Sequence, residues 1–173
     1  TRSASGSILG EEEIQEGETK KENFGKDYKF LLMATKKGTV KKTALSEYEN
    51  IRSNGLIAIS LTENDELIWV KPTTGKDTAI LVSRDAKSIH FKESDVRETG
   101  RSSQGVRGIK LKEDDFVISM DIVRKAETFM LTVSENGFGK MTELKQFTIQ
   151  NRGGSGIFAA KVNSKTGKLV VSR

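Results

Sequence analysis

Three short apolar runs set the frame of this chain: FLLMAT (Phe30–Thr35), TAILVS (Thr78–Ser83) and FMLTVS (Phe129–Ser134). Each is too short for a helix and rich in strand-forming residues, so each predicts a buried β-strand. After two intervening residues each run reaches a turn position, held by Gly38, Ala86 and Gly137. A second, more polar strand follows each turn. Ten residues past the turn stands a bulky apolar residue, Tyr48, Val96 or Phe147. Next comes a loop closing on glycine, at Gly55, Gly105 and Gly156. The segments after these glycines, LIAISL, VRGIKL and IFAAKV, predict further strands. An acidic or Gly-Lys turn then leads to a last apolar strand, LIWV, FVISM or LVVS.

The pattern is a repeat. Gly55 to Gly105 is 50 residues and Gly105 to Gly156 is 51. Gly6 lies 24 residues before Phe30, as Gly55 lies 24 before Ala79, so the N-terminus joins the same frame. Four short strands per period, a single proline (Pro72) and no helical periodicity predict an all-β, propeller-like array of four-stranded blades. A sandwich is the competing architecture, but sandwiches do not repeat in register. The expected division is a partial, poorly ordered first blade or linker over 1–27, then blades over 28–75, 76–126 and 127–173. The chain is expected to be a fragment, an open arc of three to four blades with strand edges exposed at both ends.

Charge adds a direction. The net charge is +5. Residues 1–27 hold 4 basic and 7 acidic residues, whereas 28–173 hold 25 and 17. A basic body points to a polyanion, nucleic acid before membrane; a merely solvated surface is the alternative. No apolar stretch is long enough to span a bilayer, so no membrane partner is expected, and the cytoplasm is the expected compartment. Cysteine is absent, which removes disulfides and thiolate metal sites.

The glycine loop carries a recurring arginine. Arg2, Arg101 and Arg152 lie four residues before Gly6, Gly105 and Gly156, and Arg52 lies three before Gly55. Stacked blades would align these cations along one edge, where guanidinium groups could pair with successive phosphates and release counterions. The alternative is that they brace neighbouring blades through carboxylates such as Asp65 or Asp114. Further cations return in each period: Lys36, Lys37, Lys41 and Lys42 around the first hairpin, Arg84, Lys87 and Lys92 around the second, Lys140 and Lys145 around the third. Arg107 and Lys110 follow Gly105, and Lys161 follows Gly156. With aromatics at 6%, tracking of a bent duplex backbone is favoured over base stacking on single strands.

No catalytic constellation is present. His90 is the only histidine and is expected to be structural. GRSSQGVR has glycine spacing near that of a phosphate loop but lacks its Lys-Ser/Thr. Asp114 and Asp115 are expected to be solvated in a turn. Tyr48 shares its column with Val96 and Phe147, which predicts core packing.

The stretches MATKKGTVKKTALSEYENIRSNGLIAISL, FKESDVRETGRSSQGVRGIKL and NGFGKMTELKQFTIQNRGGSGI resemble successive blades of the C-terminal domain of the A subunit of bacterial DNA gyrase. The likeness covers about 28–173, and TRSASGSIL more loosely. It implies a β-pinwheel that wraps duplex DNA around its outer rim and so supports negative supercoiling. The related A subunit of topoisomerase IV is the alternative within the family, and a basic propeller binding an acidic protein the alternative outside it. The likeness further implies no catalysis and no cofactor in this fragment. The parent enzyme would be an ATP-dependent type IIA topoisomerase, using ATP and Mg through other domains or subunits. Its partners would be double-stranded DNA, the gyrase B subunit, and the catalytic domain of its own polypeptide, where the strand-cleaving tyrosine resides.

Gln150, Asn151, Arg152, Gly153, Gly154, Ser155 and Gly156 resemble the family's wrapping motif, Q-R-R-G-G-K-G. Asn151 and Ser155 each replace a cation. The family motif normally sits in the first blade, so this copy is read as a related repeat loop. Two other departures are Ala86 in a glycine turn, which must accept strain or another turn type, and the charged segment 10–27, where two strands belong.

Overall fold

A computed structural model describes residues 27–51, 53–124 and 129–173. These residues build three antiparallel sheets. Eleven strands run in the order β1 (Phe30–Thr35), β2 (Thr39–Ala44), β3 (Leu67–Thr73), β4 (Thr78–Ser83), β5 (Lys87–Lys92), β6 (Val106–Arg107), β7 (Val117–Val123), β8 (Phe129–Ser134), β9 (Gly139–Glu143), β10 (Ile157–Phe158) and β11 (Leu169–Ser172). A single 3-10 turn follows each of β2, β5 and β9, at Leu45–Tyr48, Glu93–Asp95 and Leu144–Gln146.

The three apolar runs are β1, β4 and β8, each at the heart of its sheet. Each turns into its partner through the same bend: Gly38 donates to the Thr35 carbonyl at 3.0 Å, Ala86 to Ser83 at 3.0 Å and Gly137 to Ser134 at 2.9 Å. The closing residue must take a positive φ, as in three-residue hairpins. Glycine does so freely at Gly38 and Gly137. Ala86 takes the same conformation, with φ +62°, at a cost of about 1 kcal/mol. Its methyl group is fully buried between two sheets, which offsets part of that cost.

The sheets read β3-β1-β2-β6, β7-β4-β5-β10 and β11-β8-β9. The first two do not contain the four strands of one period. Each takes its fourth strand from the period that follows: Val40 pairs with Val106, and Ser88 with Ile157. The expected strands after the glycines are accordingly mostly something else. VRGIKL and IFAAKV give two-residue strands only, and LIAISL pairs in no ladder among the described residues. The reason lies in where their backbone donors go. Gly108 and Ile109 both donate to the Gly38 carbonyl, and Ala159 donates to Ala86, so these segments tie to the preceding turn.

Two cores lie between the sheets. Leu32, Ala34 and Val40 pack against Leu81, Ile89, Phe91 and Val117 between the first and second sheets. Ile80, Val82 and Ala86 pack against Met130, Phe147 and Leu169 between the second and third. β4 is therefore buried along nearly its whole length, whereas β8 alternates, with Phe129 and Leu131 exposed. β7 touches both β3 and β11. That edge is the hub, and β6 and β10 lie on the opposite, outer edge. The expected disorder of 10–27 lies, but for Asp27, outside the described residues.

Candidate nucleic-acid interface

The recurring arginines sit at equivalent places in successive periods. Arg101 reaches the 3-10 turn of the preceding period, with its Nε 3.7 Å from the Glu47 carboxylate. Arg152 reaches the corresponding turn one period on. Its Nε donates to the Asp95 carbonyl at 2.7 Å and its Nη1 to the Arg107 carbonyl at 3.1 Å. Both are half-buried. They brace blades, but through Glu47 and backbone carbonyls and not through Asp65 or Asp114. Arg2 and Arg52 lie outside the described residues.

Two lysines expected on the rim are interior. The Lys41 side chain is fully buried, and its ammonium donates to the Ala58 carbonyl at 2.7 Å and to the Arg101 carbonyl. Burial pushes its pKa down from the usual lysine range, against the pull of Glu47. Lys42 is buried beneath the Phe30 ring and donates to the Glu93 carbonyl at 3.3 Å. The following period's glycine loop closes over both, which is why a surface-type residue ends up inside. Tyr48 shares this neighbourhood: its hydroxyl donates to Ala58 at 3.3 Å, and burial pushes its phenol up.

The remaining candidates divide by partner. Lys36 pairs with Glu66 at 2.9 Å, Arg84 with Glu135 at 3.6 Å and Lys145 with Glu143 at 2.5 Å. Lys37 donates to the Glu63 carbonyl at 2.9 Å. Lys87 lies over the Phe158 ring, 3.7 Å from its centroid. Lys92, Arg107, Lys110, Lys140 and Lys161 are exposed and pair with no carboxylate among the described residues.

The outer edge also carries a repeated cleft. One cleft, of about 480 Å³, is lined by Lys37, Arg107, Lys110 and Lys112. A second of the same volume, one period on, is lined by Lys87, Lys110, Lys112 and Lys168. Arg107 in the first is replaced by Phe158 in the second. Asp115 reaches both clefts, yet it is not solvated as expected. It is buried and accepts from Ser83 Oγ at 2.6 Å and from the backbone N–H groups of Asp85 and Phe116 at 2.9 Å. It locks the second hairpin turn to the start of β7, as Asp65 does for Lys37 and Glu66 one period earlier.

The wrapping-motif-like loop lies on the preceding loop. Gly153 donates to the Gly108 carbonyl at 2.6 Å, and Lys110 donates to the Gly154 carbonyl at 2.8 Å. Gly156, with φ +64°, lets the chain approach Ser88 so closely that a Cβ would sit 2.1 Å from its carbonyl oxygen. Gln150 donates its backbone N–H to the His90 carbonyl at 2.7 Å, while Asn151 and Ser155 are exposed. His90 is structural: its ring bridges the Phe147 carbonyl at 2.8 Å and Thr78 Oγ1 at 2.7 Å, joining the second blade to the third.

Sequence reasoning passed over Glu93 and Phe158. Glu93 is fully buried, and its carboxylate accepts from Thr73 Oγ1 at 2.6 Å, Gly75 N at 3.0 Å and Asp77 N at 3.3 Å, stapling the second blade to the first. Its column holds Leu45 and Leu144, so a charge at an apolar column was the available signal. Phe158 is 66% exposed, and nothing in IFAAKV marks it as outward-facing.

A family model described as the DNA gyrase C-terminal domain, a β-propeller, matches residues 29–74, 77–124 and 128–171. The A subunit of DNA gyrase from Salmonella typhimurium is 45% identical over 140 residues, covering 81% of this chain and 16% of that protein. The chain thus spans about a sixth of the length of that relative. Among solved structures, the C-terminal domain of DNA topoisomerase IV superposes with a TM-score of 0.80 at 26% identity, covering 84% of this chain and 46% of that one. The DNA gyrase A C-terminal domain superposes at 0.75 with 30% identity, covering 85% and 49%.

Proposed function

Since the chain belongs to the DNA gyrase C-terminal domain family, we propose that it binds duplex DNA without reading its sequence and bends it along the outer edge of its sheets. The observation that carries this reading is the outer edge itself. Arg107, Lys110, Lys140 and Lys161 are exposed there without carboxylate partners among the described residues, and each lines a cleft on that edge. Cations at regular intervals on a rigid scaffold suit a phosphate backbone passing blade after blade. The inter-blade arginines set the spacing; the exposed cations make the contacts. In this reading the module serves a type IIA topoisomerase, gyrase before topoisomerase IV, in the bacterial cytoplasm. The gyrase B subunit and the catalytic domain of the module's own polypeptide carry strand cleavage and the ATP and Mg chemistry.

The test is a titration of a fluorescent duplex from about 50 to 300 mM salt. Binding is expected to weaken steeply with salt. Changing Arg107, Lys110 and Lys161 together to alanine should lower the slope of log K against log salt by about 2 to 3, one counterion release per lost phosphate contact. Arg101→Ala with Arg152→Ala should instead lower the melting temperature and leave the slope largely intact. An unchanged slope in the triple variant overturns the reading.

A further inference from the structure

Phe158 is the wall shared by two cation-lined clefts. On one side lie Lys87, Lys110, Lys112 and Lys168; on the other, in a cleft of about 440 Å³, lie Lys140 and Lys161. Its orientation is fixed by register. Ile157 pairs with Ser88 and Phe158 with Lys87, and Ile157 is the half-buried member, so alternation sends Phe158 outward. The ring is 66% exposed on a strand anchored by the close approach of Gly156 to Ser88. The acids nearby are already engaged: Asp85 pairs with Lys168 at 3.0 Å, and Asp115 holds its turn. Lys168 is held by Asp85, but Lys87, Lys110 and Lys112 on one side and Lys140 and Lys161 on the other pair with no carboxylate among the described residues. An aromatic ring flanked in this way calls for a ligand with anions on two sides and a flat apolar stack between them.

We propose that Phe158 enters the groove of bound duplex and wedges open a base step, while the lysines on either side hold the phosphates of the two strands. This rests on the DNA-binding reading above and adds to it a mechanism of bending. The Lys87 ammonium, now on the ring face, moves to a phosphate as a base takes its place. Apolar wedges of this kind unstack one step and kink the duplex. The same column in the other two periods holds Ile57, 70% exposed, and exposed Arg107, both side chains able to enter a minor groove.

The experiment uses the full chain and a duplex with 2-aminopurine at a flexible TA step and a dye pair at its ends. Wild type should raise the 2-aminopurine emission and shorten the end-to-end distance. Phe158→Ala should bind about tenfold more weakly, the change expected for one lost aromatic–base contact. It should also abolish most of the emission rise, yet keep the salt slope and, because the ring is exposed, the melting temperature. Phe158→Leu should restore the emission rise in part. An emission rise in Phe158→Ala equal to wild type overturns the wedge, as does no rise in wild type despite salt-sensitive binding. Binding of polyglutamate that exceeds duplex binding and falls in Phe158→Ala also overturns it, in favour of an acidic protein partner. Wild type with no salt-sensitive duplex binding at all overturns the parent reading instead.

Discussion

The junction between the first and second sheets and the junction between the second and third share a backbone and differ in chemistry. At the first, Gly108 donates to Gly38, Thr99 to Lys42 and Val117 to Lys36; at the second, Ala159 donates to Ala86, Gln150 to His90 and Leu169 to Arg84. Gly105 and Gly156 make the same close approach. Yet buried Lys41 is answered by buried Ile89, Lys42 by His90, and the Glu47–Arg101 ion pair by a hydrogen bond from Arg152 to a carbonyl. The main chain and its glycines carry the architecture. The side chains at the seam can be cationic, neutral or apolar, provided that each polar atom finds a partner.

The strongest test of that view is the pair Gly105→Ala and Gly156→Ala. A Cβ would lie 2.5 Å from the Val40 oxygen in one and 2.1 Å from the Ser88 oxygen in the other, with φ already positive. Each is expected to cost about 3 kcal/mol or more, or to prevent folding. Gly55→Ala, where a Cβ meets nothing within 4 Å, should cost only about 1 kcal/mol. Urea unfolding of the three variants would decide, and equal losses would refute a backbone-carried seam.

Glu93→Ala is expected next, at about 2 to 3 kcal/mol, because three donors lose one buried carboxylate. Glu93→Gln should recover part of the loss. Lys41→Ile puts the second junction's residue into the first. It should cost about 1 to 2 kcal/mol, since the Ala58 and Arg101 carbonyls lose their donor. The pH dependence has a definite sign. Burial lowers the folded pKa of Lys41, so its contribution is fully present above the unfolded value of 10.5 and is lost as pH falls through the folded value. The stability gap between wild type and Lys41→Ile should therefore widen as pH rises from about 9 to 11. The smallest effects belong to the arginines: about 1 kcal/mol for Arg152→Ala, which loses two hydrogen bonds to carbonyls, and a few tenths for Arg101→Ala, whose ion pair is long and half-exposed. Thermal melts that rank Arg101 above Arg152 would show that the ion pair matters more than the geometry suggests.

The hairpins were legible because β1, β4 and β8 are unbroken apolar runs ended by turn residues, and the period was legible because glycine recurs at 55, 105 and 156, each with a positive φ, the last two with no room for a Cβ. The fourth strands were expected in VRGIKL and IFAAKV and lie there, but their two-residue length and their pairing with the preceding period were not legible, since two residues cannot display an alternation. Lys41 and Asp115 were misplaced for one reason. Charge predicts exposure only when the chain does not fold over the residue, and here a loop some 60 residues away covers Lys41. The arginine column was legible as a repeat, but its contacts within the chain were not: nothing in the sequence points Arg101 to Glu47 or Arg152 to the carbonyls of Asp95 and Arg107.

Borrowing the outermost strand from the next period gives the molecule a direction. Ser88 waits for Ile157, 69 positions downstream, before its sheet has four members. On a ribosome each of the first two sheets would emerge incomplete and be finished by the period behind it, so assembly runs from the amino end like links closed one behind another. Shortening such a chain from its carboxyl end strips a sheet that had already formed, whereas shortening it from the other end removes whole links and leaves the next one intact.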